Sequence, residues 1–191
     1  MAIAFSIALG LGLSAACGFR VFVPLLALSA AAHAGQVSLA PGFEWIGTEA
    51  ALLVFAVAAV AEIAAYAFPV FDNFLDALAT PAAFVAGTLL TASVAFELAP
   101  LARWSLALIA GGGIAGLIQV ATAATRTSAT VTTGGMGNLV VSKAEFLGSA
   151  TLSFLAVLLP FAAIGATVVI IVYAILRLVR RRHRPNPPLP S

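Results

Sequence analysis

The chain has 191 residues, of which 62% are hydrophobic and 8% are charged, and its formal net charge is +2. A soluble domain carries roughly 25% charged residues, so this composition argues against a water-soluble globular protein and predicts a bilayer as the main solvent. A single cysteine, Cys17, excludes an intrachain disulfide, and no spacing of Cys and His indicates a metal site.

We expect an all-α, polytopic membrane protein, because apolar runs recur along the whole chain. A span and its turn take roughly 30 residues, which gives about five or six spans. Residues 1–184 would form one transmembrane domain, followed by a disordered Pro-rich cytoplasmic tail at residues 185–191. A cluster of basic residues favours a cytoplasmic C-terminus rather than a nucleic-acid site. Its members are Arg177, Arg180, Arg181, Arg182 and Arg184.

The first apolar run, residues 2–34, is interrupted at Gly18 and Arg20. An arginine at bilayer depth is costly unless it has a partner. We therefore predict a discontinuous helix whose Arg20 faces protein or water. The run crosses the bilayer once or twice, and the sequence leaves both paths open.

A second span is predicted over residues 48–68 and contains Glu62. Residues 70–79 have apolar side chains at helical spacing and carry Asp72 and Asp76 on another face. This pattern predicts a short amphipathic helix, either interfacial or re-entrant.

Pro81 is expected to start the third span, residues 82–99, because proline is favoured in the first turn of a helix. The fourth span, residues 104–124, contains three consecutive glycines at residues 111–113. These glycines permit close helix contact and a local irregularity.

Residues 125–143 differ from the rest of the chain, because six Ser and Thr residues precede the glycine pair at residues 134–135. The segment directly follows a predicted span and is moderately apolar. We expect a loop or re-entrant segment folded into the protein.

The last apolar stretch, residues 144–179, is too long for one perpendicular crossing, which takes roughly 20 residues. We favour a tilted helix that is kinked near Pro160, and a helical hairpin at Pro160 is the alternative. With one crossing, residues 125–143 begin on the outer side and Arg103 is cytoplasmic.

A weak internal similarity links residues 12–20 to residues 116–126. Each is a small-residue helix that ends in an arginine at a predicted discontinuity. Paired broken segments occur near the substrate sites of transporters built from repeats, so an inverted repeat is possible.

Three segments resemble the signature segments of an uncharacterised family of bacterial inner-membrane proteins, a domain of unknown function. They are residues 12–26, 62–81 and 125–138. The resemblance covers about residues 5–160. It implies a compact helical membrane protein in the bacterial inner membrane, and it implies no catalytic or binding residue.

The polar residues within the predicted spans are the candidates for function. Broken helices expose backbone N–H groups that favour anions, while arginine adds fixed charge and Thr and Asn add hydrogen bonds. These features predict a polar cavity for a small anionic or zwitterionic solute. The candidate substrate-binding residues are Arg20, Glu62, Arg126, Thr130, Thr132, Thr133, Gly134, Gly135 and Asn138.

Four further residues are candidates for ion coupling or ion pairing: Asp72, Asp76, Lys143 and Glu145. The expected pairs join Arg20 to Glu62 or Asp72, and Arg126 to Asp76 or Glu145. Such pairs either belong to a solute pathway or simply fasten short helices together. Glu62 is alternatively a proton or cation coupling site.

No nucleophile motif, metal triad or cofactor fingerprint is present, so we expect neither an enzyme nor a cofactor. The first hypothesis is a small transporter or channel. Its expected partners are the lipid bilayer, a small solute or ion, and a second copy of the chain in a homodimer. The alternative is a non-transporting scaffold, accessory or lipid-interacting protein. A wet cavity lined by the arginines favours transport, and dry, paired charges favour a scaffold.

Overall fold

The computed structural model describes the backbone of residues 2–65, 72–134 and 136–182. It describes their side chains except at residues 2, 72–77, 136, 139, 174 and 177–182. Within these ranges the chain is helical and has no strand, which confirms the predicted all-α class. The predicted tail, residues 185–191, lies outside the described residues.

The helices in chain order are α1 (Ala2–Cys17), α2 (Phe22–His33), α3 (Glu49–Ala65), α4 (Asp72–Val94), α5 (Pro100–Leu106), α6 (Gly113–Thr133), α7 (Met136–Leu158) and α8 (Pro160–Arg182). A 3₁₀ turn, Glu44–Gly47, precedes α3, and a π-helical segment, Ala107–Gly112, joins α5 to α6. Pro100–Thr133 is therefore one continuous helix of 34 residues.

The first hairpin consists of α1 and α2. Phe5, near the start of α1, and Val37, just after α2, line the same surface cavity, so α2 runs back along α1. A backbone hydrogen bond from the Gly18 N–H to the Ala15 carbonyl (3.2 Å) tightens the break between the helices. The predicted interruption at Gly18 and Arg20 is confirmed, and the chain reverses direction there.

A second hairpin consists of α7 and α8, with Leu159 as the single residue between them. Val140, near the start of α7, and Tyr173, in the second half of α8, line one cavity, so the helices run in opposite directions. Our prediction of one tilted, kinked helix over residues 144–179 is wrong, and the hairpin alternative is observed. Pro160 takes the first position of α8, where its missing N–H is not needed.

The described residues of the segment over 125–143 are helical apart from the turn at Gly134, so our prediction of a loop is wrong. Helix α6 continues to Thr133, and the chain turns at Gly134, whose φ is 61°. The hydroxyl groups of this segment are satisfied within the helix, because they donate to carbonyls four residues earlier. The donors are Thr125, Thr127, Ser128, Thr130, Thr132 and Thr133. Arg126 therefore does not mark a helix break.

Helix α4 is continuous and contains Pro81 in its interior. The predicted boundary between an amphipathic helix over residues 70–79 and a third span starting at Pro81 is therefore wrong. An interior proline removes one backbone hydrogen bond, and a helix packed among others tolerates this loss. Residues 66–71 lie outside the described part of the chain.

Small residues pack the centre of the bundle. The Ser14 hydroxyl of α1 donates to the Gly87 carbonyl of α4 (2.7 Å). A Cβ atom on Gly87 would lie 2.6 Å from the Ala115 Cβ and 2.8 Å from the Gly111 carbonyl oxygen. The predicted close contact and irregularity at the glycine run are confirmed for Gly111, whereas a Cβ on Gly113 would meet open space.

The segments that suggested an inverted repeat lie side by side in the same direction. Ser14 and Gly111 both approach Gly87, and further along both helices Gly18 approaches Ile118. Inverted repeats run in opposite directions, so this prediction is wrong. The two segments also differ, because α1 ends before its arginine and α6 continues past its own.

Two of the described helices are long and apolar enough to cross a membrane, Pro100–Thr133 and Val140–Leu158. Shorter apolar helices are Ile3–Cys17, Phe22–His33, Leu78–Val94 and Pro160–Tyr173. Large apolar side chains are exposed on the outer face of α3, among them Leu53, Val57 and Val60.

Candidate functional site

Arg20 lies at the tip of the α1–α2 hairpin and points into the bundle, where it is 1% exposed. The break between α1 and α2 makes this orientation possible, because α1 ends at Cys17 and the chain turns before it reaches Arg20. Its Nη2 atom donates to the Ser142 carbonyl of α7 (3.2 Å) and to the Ser142 hydroxyl. The hairpin tip is thus attached to α7.

Glu145, one turn after Ser142, contacts both buried arginines. The Arg126 Nε–H lies 2.9 Å from each carboxylate oxygen, and Arg126 Nη2 also donates to Oε2. Arg20 Nη2 lies 3.7 Å from Oε2. We call Arg20, Arg126 and Glu145 the arginine–glutamate cluster. Charge-assisted hydrogen bonds, which are the strong ones, join Arg126 of α6 to Glu145 of α7, and an ion pair adds Arg20 of the hairpin tip to them.

Glu62 of α3 binds the other side of the hairpin tip. Its carboxylate accepts the backbone N–H of Val21 (2.8 Å) and of Phe22 (3.1 Å). A carboxylate is favourable at the N-terminus of a helix, where N–H groups lack intrahelical acceptors. Glu62 therefore caps α2, and it does not form the predicted direct ion pair with Arg20.

The remaining predicted pairs have different outcomes. The pairing of Arg126 with Glu145 is confirmed. Lys143 is exposed on α7 and forms no ion pair with the carboxylates whose side chains are described. Asp72 and Asp76 lie in the first turns of α4, and their side chains lie outside the described part.

The other candidate binding residues lie beyond the cluster, at the turn between α6 and α7. The Asn138 side-chain amide donates to the Thr130 hydroxyl (2.7 Å), and the Gly137 N–H donates to the Thr133 hydroxyl (2.7 Å). These contacts tie the two helices together at their turn. Thr132 and Gly134 are exposed there, while Gly135 is outside the described residues.

A cavity of about 540 Å³ lies between α6, α7, α8 and the ring of Phe19. Its wall is mostly apolar, and its polar side chains are Thr122, Thr125, Glu145 and Tyr173. The arginines lie behind the Glu145 carboxylate and do not line this cavity, so the predicted arginine-lined wall is not formed here. One member of the cluster nevertheless reaches a space of the size that small ligands occupy.

Sequence reasoning identified most of the charged residues but missed Ser142 and the contact between Arg20 and Glu145. Ser142 and Glu145 are three positions apart, so they share one face of α7. That spacing could have predicted a shared polar face on α7. The structure of the α1–α2 hairpin is needed to show that Arg20 contacts this face. Among the described residues, no group of three or more His, Cys, Asp or Glu side chains could hold a metal ion.

The fold and the site define a helical bundle with a buried cluster of charges beside an apolar cavity. The family model for a domain of unknown function (DUF4126) matches residues 7–181. The chain belongs to this family, as the resemblance in its sequence predicted. A comparison with curated proteins finds no match, and a comparison with solved structures finds none either.

Proposed function

We propose that this protein is a multi-pass membrane transporter that carries a small solute through the cavity between α6, α7 and α8. One observation carries the proposal. Glu145 lines the cavity and also contacts both buried arginines. Ionisable groups within a membrane are expensive and commonly mark substrate or ion pathways. The anionic or zwitterionic character expected of the solute remains a prediction.

The bilayer is the proposed environment because the outer helix faces carry large exposed apolar side chains. The basic residues at the C-terminal end of the chain favour a cytoplasmic C-terminus, and the family resemblance favours a bacterial inner membrane. The α7–α8 hairpin then brings the α6–α7 turn to the cytoplasmic side as well. This reverses the sidedness that a single last crossing would have given.

Coupling between solute and protein would act through Glu145. A solute that reaches the carboxylate changes its interaction with Arg126 on α6 and with Arg20 at the hairpin tip. Glu62 holds the same tip from α3. A shift at the cavity would therefore be transmitted to the α1–α2 hairpin, a candidate element for the two states that carriers need.

A non-transporting scaffold is the second candidate, and one observation favours it. Arg20 and Arg126 are 1% and 2% exposed and share one carboxylate. Fully buried and paired charges are compatible with a purely structural role. In that case the cluster fastens the short α1–α2 hairpin to α7.

Reconstituted protein separates the two functions. Uptake into proteoliposomes would be measured with a panel of radiolabelled amino acids, carboxylates and amines, with solid-supported-membrane currents for inorganic ions. We expect at least one solute to enter faster than into protein-free liposomes. Ala144→Phe, which fills the cavity wall, should reduce this uptake at least tenfold.

Leu147→Phe is the matched control, because Leu147 is exposed on α7 and lies outside the cavity wall. It should leave uptake unchanged. If the folded wild-type protein moves nothing in the panel, or if Ala144→Phe transports as well as wild type, the transport proposal fails and the scaffold is favoured.

A further inference from the structure

A second cavity, of about 420 Å³, lies beside the α7–α8 turn. Four parts of the chain form its wall: the start of α1, the segment after α2, the end of α4 with the residues that follow it, and the start of α8. We call it the Glu97 cavity. None of its described lining residues lines the cavity between α6, α7 and α8, so it is a separate site.

Three phenylalanine rings line the Glu97 cavity, and they come from three different parts of the chain. Phe5 of α1 and Phe161 of α8 meet edge to face, with ring centroids 6.5 Å apart and an interplanar angle of 75°. Phe96 follows the end of α4. The three residues are 44%, 60% and 41% exposed in the same order, so each keeps surface that a ligand can contact. The face of an aromatic ring attracts a cation.

Glu97 gives this wall its charge, because no Lys, Arg or His is among the described lining residues. Its side chain is exposed and forms no ion pair with a described residue. The exposed Gln36 and Ser38 add an amide and a hydroxyl, whereas the Ser6 hydroxyl already donates to the Ile3 carbonyl (3.3 Å). The charge and the rings therefore both favour a positively charged ligand.

We infer that the Glu97 cavity binds a quaternary ammonium group, with the phenylalanine rings against its methyl groups and the Glu97 carboxylate against its charge. A quaternary ammonium has no N–H to donate, so it is recognised by aromatic surface and negative charge rather than by a set of hydrogen-bond acceptors. The site goes beyond the proposed transport function. The group could belong to a dissolved cation or to the head group of a lipid, because exposed polar residues place this cavity at the surface of the bundle.

Binding of radiolabelled choline to the full chain tests the inference. Equilibrium dialysis would be carried out in dodecyl maltoside micelles, which contain no ammonium group, and empty micelles would supply the background. We expect saturable binding of one choline per chain. The competitor 3,3-dimethylbutanol has the shape of choline without its charge, and it should bind about tenfold more weakly.

Two substitutions of exposed wall residues separate the charge from the rings. Glu97→Gln should weaken choline binding about fivefold, whereas Glu49→Gln, an equal charge change at an exposed residue outside the cavity wall, should leave it unchanged. Phe96→Leu should weaken choline binding about threefold. Phe154→Leu is its control, because Phe154 is exposed on α7 and lies outside this wall.

Addition of phosphatidylcholine to the micelles distinguishes the two sources of the ligand. Displacement of choline supports a site that accepts a lipid head group, and retention of choline supports a site for dissolved cations. Phosphatidylglycerol, which has no ammonium group, should displace choline in neither case.

Three results would overturn the inference: no saturable choline binding up to about 10 mM, competition by 3,3-dimethylbutanol as strong as that by unlabelled choline, or equal choline binding by Glu97→Gln and Glu49→Gln. Choline binding without flux in proteoliposomes supports this site while the transport proposal fails. Flux through the other cavity without choline binding contradicts this inference alone.

Discussion

Glu145 is the carboxylate that both buried arginines contact, and removing its charge tests the cluster at the scale of one residue. Breaking a buried ion pair by removing one partner costs about 3–5 kcal/mol, because a charge is left buried without that partner. We expect Glu145→Gln to lower the free energy of unfolding by about this amount. Unfolding in mixed micelles titrated with sodium dodecyl sulfate, followed by circular dichroism, measures the change.

Lys143→Gln is the matched control, because Lys143 is exposed on the same helix only two positions away. A surface substitution of this kind changes stability by about 0.5 kcal/mol or less. A loss at Glu145→Gln no larger than that of the control would show that the cluster contributes little to the fold.

At the scale of elements, glycine decides how closely α4 approaches the α5–α6 helix. A Cβ at Gly87 would lie 2.6 Å from the Ala115 Cβ, whereas a Cβ at Gly113 would meet nothing within 4 Å. Gly87→Ala should therefore lower the free energy of unfolding by about 1–3 kcal/mol through overpacking. Gly113→Ala should raise it by about 0.5–1 kcal/mol, because alanine loses less backbone entropy in a helix.

Opposite signs for these two substitutions in the same unfolding assay are the expected result. Equal effects would mean that the contact between the helices is looser than the geometry implies.

Local sequence patterns predicted where a helix ends better than they predicted the direction in which the next helix runs. Gly18 and Arg20 interrupt an apolar run, so the end of α1 was visible in the sequence. The reversal of direction after α7 could not be predicted from the sequence, because a proline is equally compatible with a kinked helix and with a helical hairpin. The hairpin is selected by packing on α1, where a Cβ on Gly12 would lie 2.9 Å from the Cβ atoms of both Ala156 and Ala163.

The same limit applies to the candidate site. Few charges occur in the apolar runs, so Arg126 and Glu145 were natural partners. The contact of Arg20 with the same carboxylate depends on where the hairpin tip lies along α7, which no local pattern encodes. Residues 125–143 were predicted to be a loop or re-entrant segment because their Ser, Thr and Gly content differs from that of the spans. The hydroxyls of α6 instead donate to carbonyls of their own helix.

For the whole molecule, the alternating helix directions put the segment after α2 and the α6–α7 turn at opposite ends. Ser38 shares a cavity with Phe161, beside the α7–α8 turn, whereas Thr132 lies next to the α6–α7 turn. Both residues are exposed, and the natural Cys17 is buried. Labelling of introduced cysteines can therefore show which side of the membrane each position faces, because the buried Cys17 thiol is not accessible to the reagent.

We expect a membrane-impermeant maleimide to label Ser38→Cys only in right-side-out vesicles and Thr132→Cys only in inside-out vesicles. Unaltered protein supplies the background for both. Labelling of the two variants from the same side would contradict both the alternating path and the proposed cytoplasmic C-terminus.

The attachment of Arg20 to Ser142 spans 122 positions of sequence. Chains are synthesised at roughly 5–20 residues per second, so Arg20 leaves the ribosome about 6–25 s before its partners on α7 exist. In the proposed bilayer environment, a charged tip held that long without its partners is unfavourable. We therefore expect α1 and α2 to reach their final depth late in biogenesis, only once the α6–α7 hairpin has been inserted beside them.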